Sequence, residues 1–138
     1  MQIEIAHTEK DQVEQSVDAL LTEHSQETGF PYAPQPLVLK ITDGGDTLGG
    51  LVGSTNWEWL YITSLAVDKR LRGQGLGRKL MLEAERIAVE RGCRGAWIDT
   101  FSFQAPQFYE SLGYEPFGKL DDYPEGEQRV FLRKLFTA

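Results

Sequence analysis

Residues 67–79 read Val67-Asp68-Lys69-Arg70-Leu71-Arg72-Gly73-Gln74-Gly75-Leu76-Gly77-Arg78-Lys79. Residues 59–67, which lead into this stretch, are mostly apolar, as in a strand that is covered on both faces of a sheet. Beyond the glycines, apolar residues recur at helical spacing at Leu76, Leu80, Ala84, Ile87 and Ala88. The sequence therefore predicts a central strand, a glycine-rich turn and an amphipathic helix.

The glycine-rich turn has the composition of a phosphate site. Gly73, Gly75 and Gly77 let backbone N–H groups approach an anion without side-chain interference, and the dipole of the following helix favours negative charge there. Residues 69–79 hold five of the 14 basic residues, where an even distribution would place about one. In a chain of net charge -7, this concentration of positive charge predicts an anionic ligand.

Two common phosphate motifs do not fit the turn. In a Walker loop, G-x-x-x-x-G-K-[ST], the sixth position counted from Gly73 would be glycine, and here it is Arg78; no Ser or Thr follows Lys79. The dinucleotide fingerprint G-x-G-x-x-G fails at the same arginine. The spacing that does fit is R-x-x-G-x-G, over residues 70–75.

A second informative segment covers residues 102–114. Phe108 and Leu112 are one helical turn apart and are predicted to face the core, so Tyr109 lies about 100° round the helix and is free to face a groove. An amphipathic tyrosine packed at a helix surface is the ordinary alternative. Pro106 is tolerated in the first turn of such a helix, and Gly113 would end it.

These two segments resemble the GNAT superfamily of acyl-CoA-dependent N-acetyltransferases. The R-x-x-G-x-G loop after a strand is similar to the loop that wraps the pyrophosphate of coenzyme A in that family. The second segment is similar to its pattern A-x-x-F-Y-x-x-x-G-[FY], which is matched by Ala105, Phe108, Tyr109, Gly113 and Tyr114. The resemblance is strong over residues 59–117, and the N-terminal half matches only in outline.

The resemblance implies an α/β (α+β) fold in one domain, residues 1–138. Its sheet would be mixed, twisted and mostly antiparallel, with a splayed parallel strand pair and three to four flanking helices. Periodicity and turn residues predict a first strand through Ile3 and Ile5, a helix that ends near Gly29, and a loop over residues 29–36. Strands are further predicted over residues 37–41, 48–53, 59–67, 96–99, 114–117 and 130–135, with helices from Gly75 to about Gly92 and over about 104–112.

The resemblance also implies acetyl-CoA as co-substrate, with no metal. An amine would attack the thioester directly, the Leu65 N–H would polarise the thioester carbonyl, and the Tyr109 hydroxyl would meet the departing sulfur. Ser102 stands where many members of the family have Asn. The predicted cofactor-binding residues are Leu65, Val67, Arg70, Arg72, Gly73, Gln74, Gly75, Leu76, Gly77, Arg78, Ser102 and Tyr109.

The acceptor side is less defined by the sequence. Glu58, at the start of the central strand, is the predicted general base, and Asp99 or a water chain are the alternatives. Some family members have a glutamate base about where Tyr61 stands. We expect the acceptor, a primary amine of a small molecule or a peptide amino group, to contact Tyr32, Trp59, Tyr61 and Asp99. The negative net charge mildly favours a cationic acceptor.

Composition narrows the remaining classes of function. The net charge of -7 disfavours nucleic acid as a partner. One cysteine, Cys93, and two distant histidines offer neither a disulfide nor a zinc site, and no apolar run approaches the ~20 residues of a membrane span. The expectation is a cytoplasmic enzyme, and the resemblance suggests a homodimer. A non-catalytic acyl-CoA sensor and a nucleotide-binding regulatory domain are the alternatives.

Overall fold

The computed structural model describes residues 1–137 as two compact units, Met1–Ala33 and the chain from Pro34 onward. The first unit has a 3-10 turn over His7–Glu9 and helix α1 over Lys10–Glu27. The helix ends before Gly29, whose φ of +84° suits a residue without a side chain. The Ser25 hydroxyl donates to the Thr22 carbonyl and accepts from the Tyr32 N–H, so it orders the segment after the helix.

The predicted first strand is wrong. Residues 1–6 have no regular structure, and Ile3 and Ile5 are exposed. Alternation of two isoleucines specifies two faces but supplies no neighbouring strand, and a strand is stable only when its backbone groups are paired.

The second unit contains the sheet and two helices. Its elements are β1 (Gln35–Asp43), β2 (Asp46–Asn56), β3 (Trp59–Val67), α2 (Leu76–Glu90), β4 (Gly95–Phe101), α3 (Pro106–Ser111), β5 (Glu115–Asp121) and β6 (Gln128–Leu135). The order of strands in the sheet is β1-β2-β3-β4-β6-β5. Strands β3 and β4 pair in parallel, and the other four pairs of neighbouring strands are antiparallel. The mixed, mostly antiparallel sheet is therefore confirmed.

The parallel pair separates toward its carboxyl end. Pairing of β3 with β4 runs from Trp59 opposite Gly95 to Ile62 opposite Ile98, and no further among the described residues. Strand β3 continues to Val67 and β4 to Phe101. A β-bulge in the pairing with β2 leaves Thr63 without an opposite residue, just where β3 leaves β4. Bulges bend a strand, so this one accompanies the predicted splay.

One face of the sheet carries the core. Leu60 and Ile62 of β3, Ala96 and Ile98 of β4 and Leu132 of β6 are buried, and they pack in one cluster with Leu80, Met81, Ala84 and Ala88 of α2. Because side chains alternate along a strand, the residues between them lie on the other face. We call that face the open face; it carries Trp59, Tyr61, Trp97, Asp99, Phe131 and Arg133.

A buried carboxylate on α2 joins that helix to β6 and to the segment before β5. Glu85 is 8% exposed, and its two oxygens accept from the Tyr114 hydroxyl (2.8 Å) and from Nζ of Lys134 (2.7 Å). A charge is buried at acceptable cost only when it is paired in this way. Tyr114 lies three residues beyond the end of α3, so this contact holds the segment after α3 against α2. Within residues 1–137, no helix is long and apolar enough to cross a membrane.

Candidate active site

The glycines of the turn have two different structural roles. Gly73 and Gly75 have φ of +84° and +72°, and a Cβ at either position would enter open space. Gly75 is also the residue that precedes the first turn of α2. Gly77 lies inside α2, where a Cβ would come within 3.4 Å of the Phe108 ring. Two glycines therefore shape an open loop, and the third lies where α2 contacts the Phe108 ring of α3.

A cavity of about 520 Å³ opens between this loop, the end of β3 and α3. The predicted cofactor residues that line it are Leu65, Val67, Arg72, Gly73, Gly75, Leu76, Gly77, Arg78 and Tyr109. The structure thus brings together two segments that are about 30 residues apart in the chain. Such a volume lies in the usual range for small-molecule sites, about 300–1,000 Å³.

The backbone of β3 offers unused hydrogen-bonding groups to the gap beside β4. The Asp68 N–H donates to the Leu48 carbonyl (2.7 Å), and the Ala66 carbonyl faces Gly49 of β2. Because these groups alternate in direction along a strand, those of Leu65 and Val67 face the opposite side. On that side β4 has already separated from β3. Leu65 and Val67 therefore present N–H and C=O groups to a ligand in the gap.

Three of the predicted cofactor residues do not line the cavity. The Arg70 guanidinium is held by the Asp68 carboxylate through Nε (3.0 Å) and Nη2 (3.1 Å), and this pairing lowers the pKa of Asp68 to about 2. Gln74 is exposed at the loop tip. The Ser102 hydroxyl donates to Glu127 and accepts from the Gln128 N–H (2.9 Å), so it connects the end of β4 to the end of the loop before β6.

Tyr109 faces the cavity from α3. It is 7% exposed, packs edge-on against Phe108, and makes no hydrogen bond through its hydroxyl within the described chain. Burial, and secondarily the negative charge of Asp99, raise its pKa to about 12. The hydroxyl is therefore protonated at neutral pH and is available as a hydrogen-bond donor.

Asp99 lies on the open face one residue beyond the last β3–β4 pair. Its Oδ1 accepts from Nε of Arg129 (2.9 Å) and lies 2.8 Å from Nη2 in the same ion pair, while the Tyr61 hydroxyl lies 3.5 Å from Oδ2. Tyr61 in turn stacks on Trp97, with ring centroids 3.9 Å apart. Burial, followed by the charge of Asp99, raises the pKa of Tyr61.

The structure does not bring Glu58 to this region. Glu58 lies in the turn between β2 and β3 with φ of +65°, and its carboxylate is paired with Arg94. Leu65 is seven residues further along β3, a distance of about 20 Å at the usual rise per residue. Tyr32 belongs to the first unit, where its N–H is bound to Ser25.

A second cavity of about 390 Å³ lies on the open face. We call it the aromatic cleft; it is lined by Trp59, Trp97, Phe117, Phe131 and Arg133. Trp59 was expected from the sequence to contact the acceptor, whereas the lining residues from β5 and β6, and Arg129, were not. A signal was present, because Arg129, Phe131 and Arg133 alternate with the apolar residues Val130 and Leu132.

Comparison with known proteins gives a consistent result. The model of the family described as "Acetyltransferase (GNAT) family" matches residues 4–114. A blasticidin-S acetyltransferase of Streptomyces morookaense is 46% identical over 83 residues, which are 59% of this chain and 61% of that protein, so the match spans less than two thirds of its length. The acetyltransferase Atu2258 of Agrobacterium fabrum is 42% identical over 68% of this chain and 69% of its own.

A solved structure supports the same assignment over nearly the whole chain. The crystal structure of a putative acetyltransferase from Agrobacterium tumefaciens has a TM-score of 0.83 and 34% identity to this chain. The likeness covers 99% of this chain and 98% of that one. The overall fold is therefore shared with a relative of known structure.

Proposed function

We infer the reaction from one premise: the chain belongs to the acetyltransferase (GNAT) family. We propose that it transfers the acetyl group of acetyl-CoA to an amine by direct attack. The observation that carries this proposal is the cavity at the parted end of β3 and β4. One cavity wall there combines the Leu65 and Val67 backbone, the open glycine loop and the Tyr109 side chain.

The chain's own groups fit a coenzyme A thioester. The space that a Cβ would fill at Gly73 and Gly75 is free for a diphosphate at the start of α2, where N–H groups and the helix dipole favour anions. Arg72 and Arg78 line the same cavity and supply positive charge. The amide groups of pantetheine match the unpaired edge of Leu65 and Val67, as an added strand would.

The chemistry needs one hydrogen-bond donor at the carbonyl and one at the sulfur. Acetyl-CoA supplies an acetyl group already activated as a thioester. The Leu65 N–H stabilises the negative charge that develops on the carbonyl oxygen, a role in which one donor contributes about 2.7–4 kcal/mol. The loop and the strand edge hold the thioester in place, so that the amine attacks in a unimolecular step.

Tyr109 acts on the departing sulfur as a hydrogen-bond donor. A thiol has a pKa of about 8.5, and burial raises the pKa of Tyr109 to about 12. Full transfer of the tyrosine proton to the thiolate is therefore uphill by about 5 kcal/mol. A hydrogen bond to the thiolate avoids that cost, and the thiolate takes its proton from solvent.

The first experiment measures thiol release from acetyl-CoA in the presence of a panel of amines. The relative that acetylates blasticidin S is 46% identical over the matched segment, so blasticidin S is one acceptor in the panel, beside polyamines, amino acids, short peptides and arylalkylamines. We expect turnover with at least one amine, and a rise in melting temperature with acetyl-CoA but not with ATP.

Variants separate this proposal from a non-catalytic acyl-CoA sensor. Tyr109→Phe should lower kcat about 10-fold, the loss of a hydrogen bond to a charged group, with KM for acetyl-CoA within about twofold. Tyr123→Phe, at an exposed tyrosine that does not line the cavity, is the control. Stabilisation by acetyl-CoA without turnover on any amine would favour the sensor, and stabilisation by ATP alone would contradict both.

A further inference from the structure

The open face carries aromatic side chains that are not fully buried. Trp59, Trp97, Phe117 and Phe131 come from four different strands and surround one cleft, and Phe117 is 53% exposed. Contiguous apolar surface of this kind on a soluble domain commonly marks a ligand groove. The rings present their faces and edges, so the cleft suits a flat, unsaturated ligand.

The charges around the aromatic cleft are balanced. Asp99 is paired with Arg129 through one hydrogen bond from Nε and a close ion-pair contact from Nη2, both at Oδ1. Arg133 lies opposite Glu115 in the register of β5 and β6, so the two side chains share the open face. Two positive and two negative groups leave no net charge to attract a polycation or a polyanion. Selectivity must therefore come from the rings and from single hydrogen bonds.

One polar atom on this face has spare capacity. Oδ1 of Asp99 accepts a hydrogen bond from Nε of Arg129 and lies 2.8 Å from its Nη2, whereas Oδ2 has the Tyr61 hydroxyl at 3.5 Å, a long hydrogen bond. A carboxylate oxygen has two lone pairs, so Oδ2 can accept from a ligand. The Asp99 side chain is 14% exposed, so a ligand atom can reach it.

Asp99 also stands between the aromatic cleft and the gap. It shares the open face with Trp97 two residues earlier, and it lies opposite Phe131 in the pairing with β6. It follows directly the point at which β3 leaves β4. A molecule whose ring lies in the cleft can therefore place a nearby substituent at Asp99 and in the gap where Leu65 presents its N–H.

We propose that the acceptor is an arylalkylamine, a primary amine on a short chain attached to a flat ring, whose ring binds in the aromatic cleft and whose nitrogen donates to Oδ2 of Asp99. This inference rests on the proposed acetyl transfer and names its acceptor class. Arg129 holds the carboxylate in place through Oδ1. Trp97, braced by its stack on Tyr61, forms the floor for the ring.

Asp99 receives the proton that the reaction releases. The neutral amine attacks the thioester carbonyl, a C–N bond forms, and the C–S bond breaks with its electron pair going to sulfur. The nitrogen loses one proton to Oδ2 of Asp99, which passes it to solvent, while the thiolate hydrogen-bonded to Tyr109 takes one proton from solvent. The balanced products are the N-acetylamine and free coenzyme A.

The test compares two amines of similar length on the wild-type protein, 2-phenylethylamine and n-hexylamine. We expect kcat/KM to favour the ring-bearing amine by about 10-fold, the size of an aromatic contact. Phe117→Ala should reduce this preference, while Leu120→Ala, at an equally exposed residue of the same strand, should leave it unchanged. Equal rates for the two amines, with acetylation intact, would overturn the acceptor class while leaving acetyl transfer standing.

Asp99→Asn tests the proton acceptor separately from ring binding. We expect kcat to fall by about 100-fold or more, as for loss of a general base, with KM for acetyl-CoA unchanged. Binding of ethylbenzene, which has the ring but no hydrogen-bond donor, is followed without acetyl-CoA through tryptophan fluorescence. It should be unaffected in Asp99→Asn and weakened in Phe117→Ala. An Asp99→Asn protein with the wild-type melting temperature and kcat would overturn the role of Asp99.

Discussion

The cofactor cavity and the aromatic cleft are built on opposite principles. The cavity is lined by two short stretches of chain, residues 65–78 and 105–109, and its glycines and strand edge act through backbone groups. The cleft takes its side chains from four strands, over residues 59–133, and acts through rings. Binding in the cavity therefore depends mainly on backbone conformation, and binding in the cleft depends on which side chains are present. Changes that strain the backbone should damage cofactor binding while leaving the acceptor preference unchanged.

Gly75→Val should have the largest effect on this comparison. A β-branched residue at φ of +72° costs about 1–2 kcal/mol in the loop conformation, and its side chain enters the space open to the diphosphate. We expect the affinity for acetyl-CoA, measured by calorimetry, to fall about 10- to 100-fold. The preference among amines should stay at the wild-type value.

Gly92→Val is the matched control for that change. Gly92 has φ of +84° and open space at its Cβ, but it lies at the other end of α2, outside the cavity. It should lose similar stability and keep the wild-type affinity for acetyl-CoA. Equal losses of affinity in both variants would mean that strain anywhere along α2 is enough, and would remove the special role of the loop.

Substitution of two arginines in the same loop should have a smaller effect on KM for acetyl-CoA, and the two effects should differ. Arg78 lines the cavity, whereas the Arg70 guanidinium is already bound to Asp68. We expect Arg78→Ala to raise KM for acetyl-CoA about 5- to 10-fold, an effect that salt reduces, and Arg70→Ala to change it less than twofold. The reverse order would show that Arg70 leaves Asp68 to bind the diphosphate.

The smallest effect concerns stability in alkali. The pKa of Tyr109 is about 12 in the folded chain and about 10 in an unfolded one, so the unfolded state loses its proton first as pH rises. The free energy of unfolding should therefore fall between about pH 10 and pH 12. Tyr109→Phe should reduce that fall in urea titrations, whereas Tyr123→Phe, at an exposed tyrosine, should not. An identical fall in all three proteins would contradict a pKa raised by burial of the Tyr109 side chain.

The contrast between the two sites also explains what could be predicted from sequence. The cofactor side depends on local spacing, so R-x-x-G-x-G after a strand and the helix around Tyr109 were enough to identify the segments that line the cavity. The mixed, mostly antiparallel sheet with one parallel pair followed from the same resemblance. Even there, local spacing did not reveal that Asp68 would hold Arg70 or that Glu127 would hold Ser102.

The acceptor side depends on strand register, which no local pattern specifies. The ion pair of Asp99 with Arg129 joins residues 30 positions apart, and it forms because β6 pairs with β4 in one particular register. Glu58 was predicted to be the general base because it stands at the start of the central strand in the sequence. In the structure Glu58 lies at the start of β3, whereas the cavity lies at the opposite end of that strand, where β3 and β4 part.

The four residue pairs that join β3 to β4 have a mechanical consequence. They form a short seam between two three-stranded halves of the sheet. A ligand that bridges the seam with its own amide groups adds the hydrogen bonds that the halves do not make with each other. The ligand-bound protein would then be more rigid than the ligand-free protein.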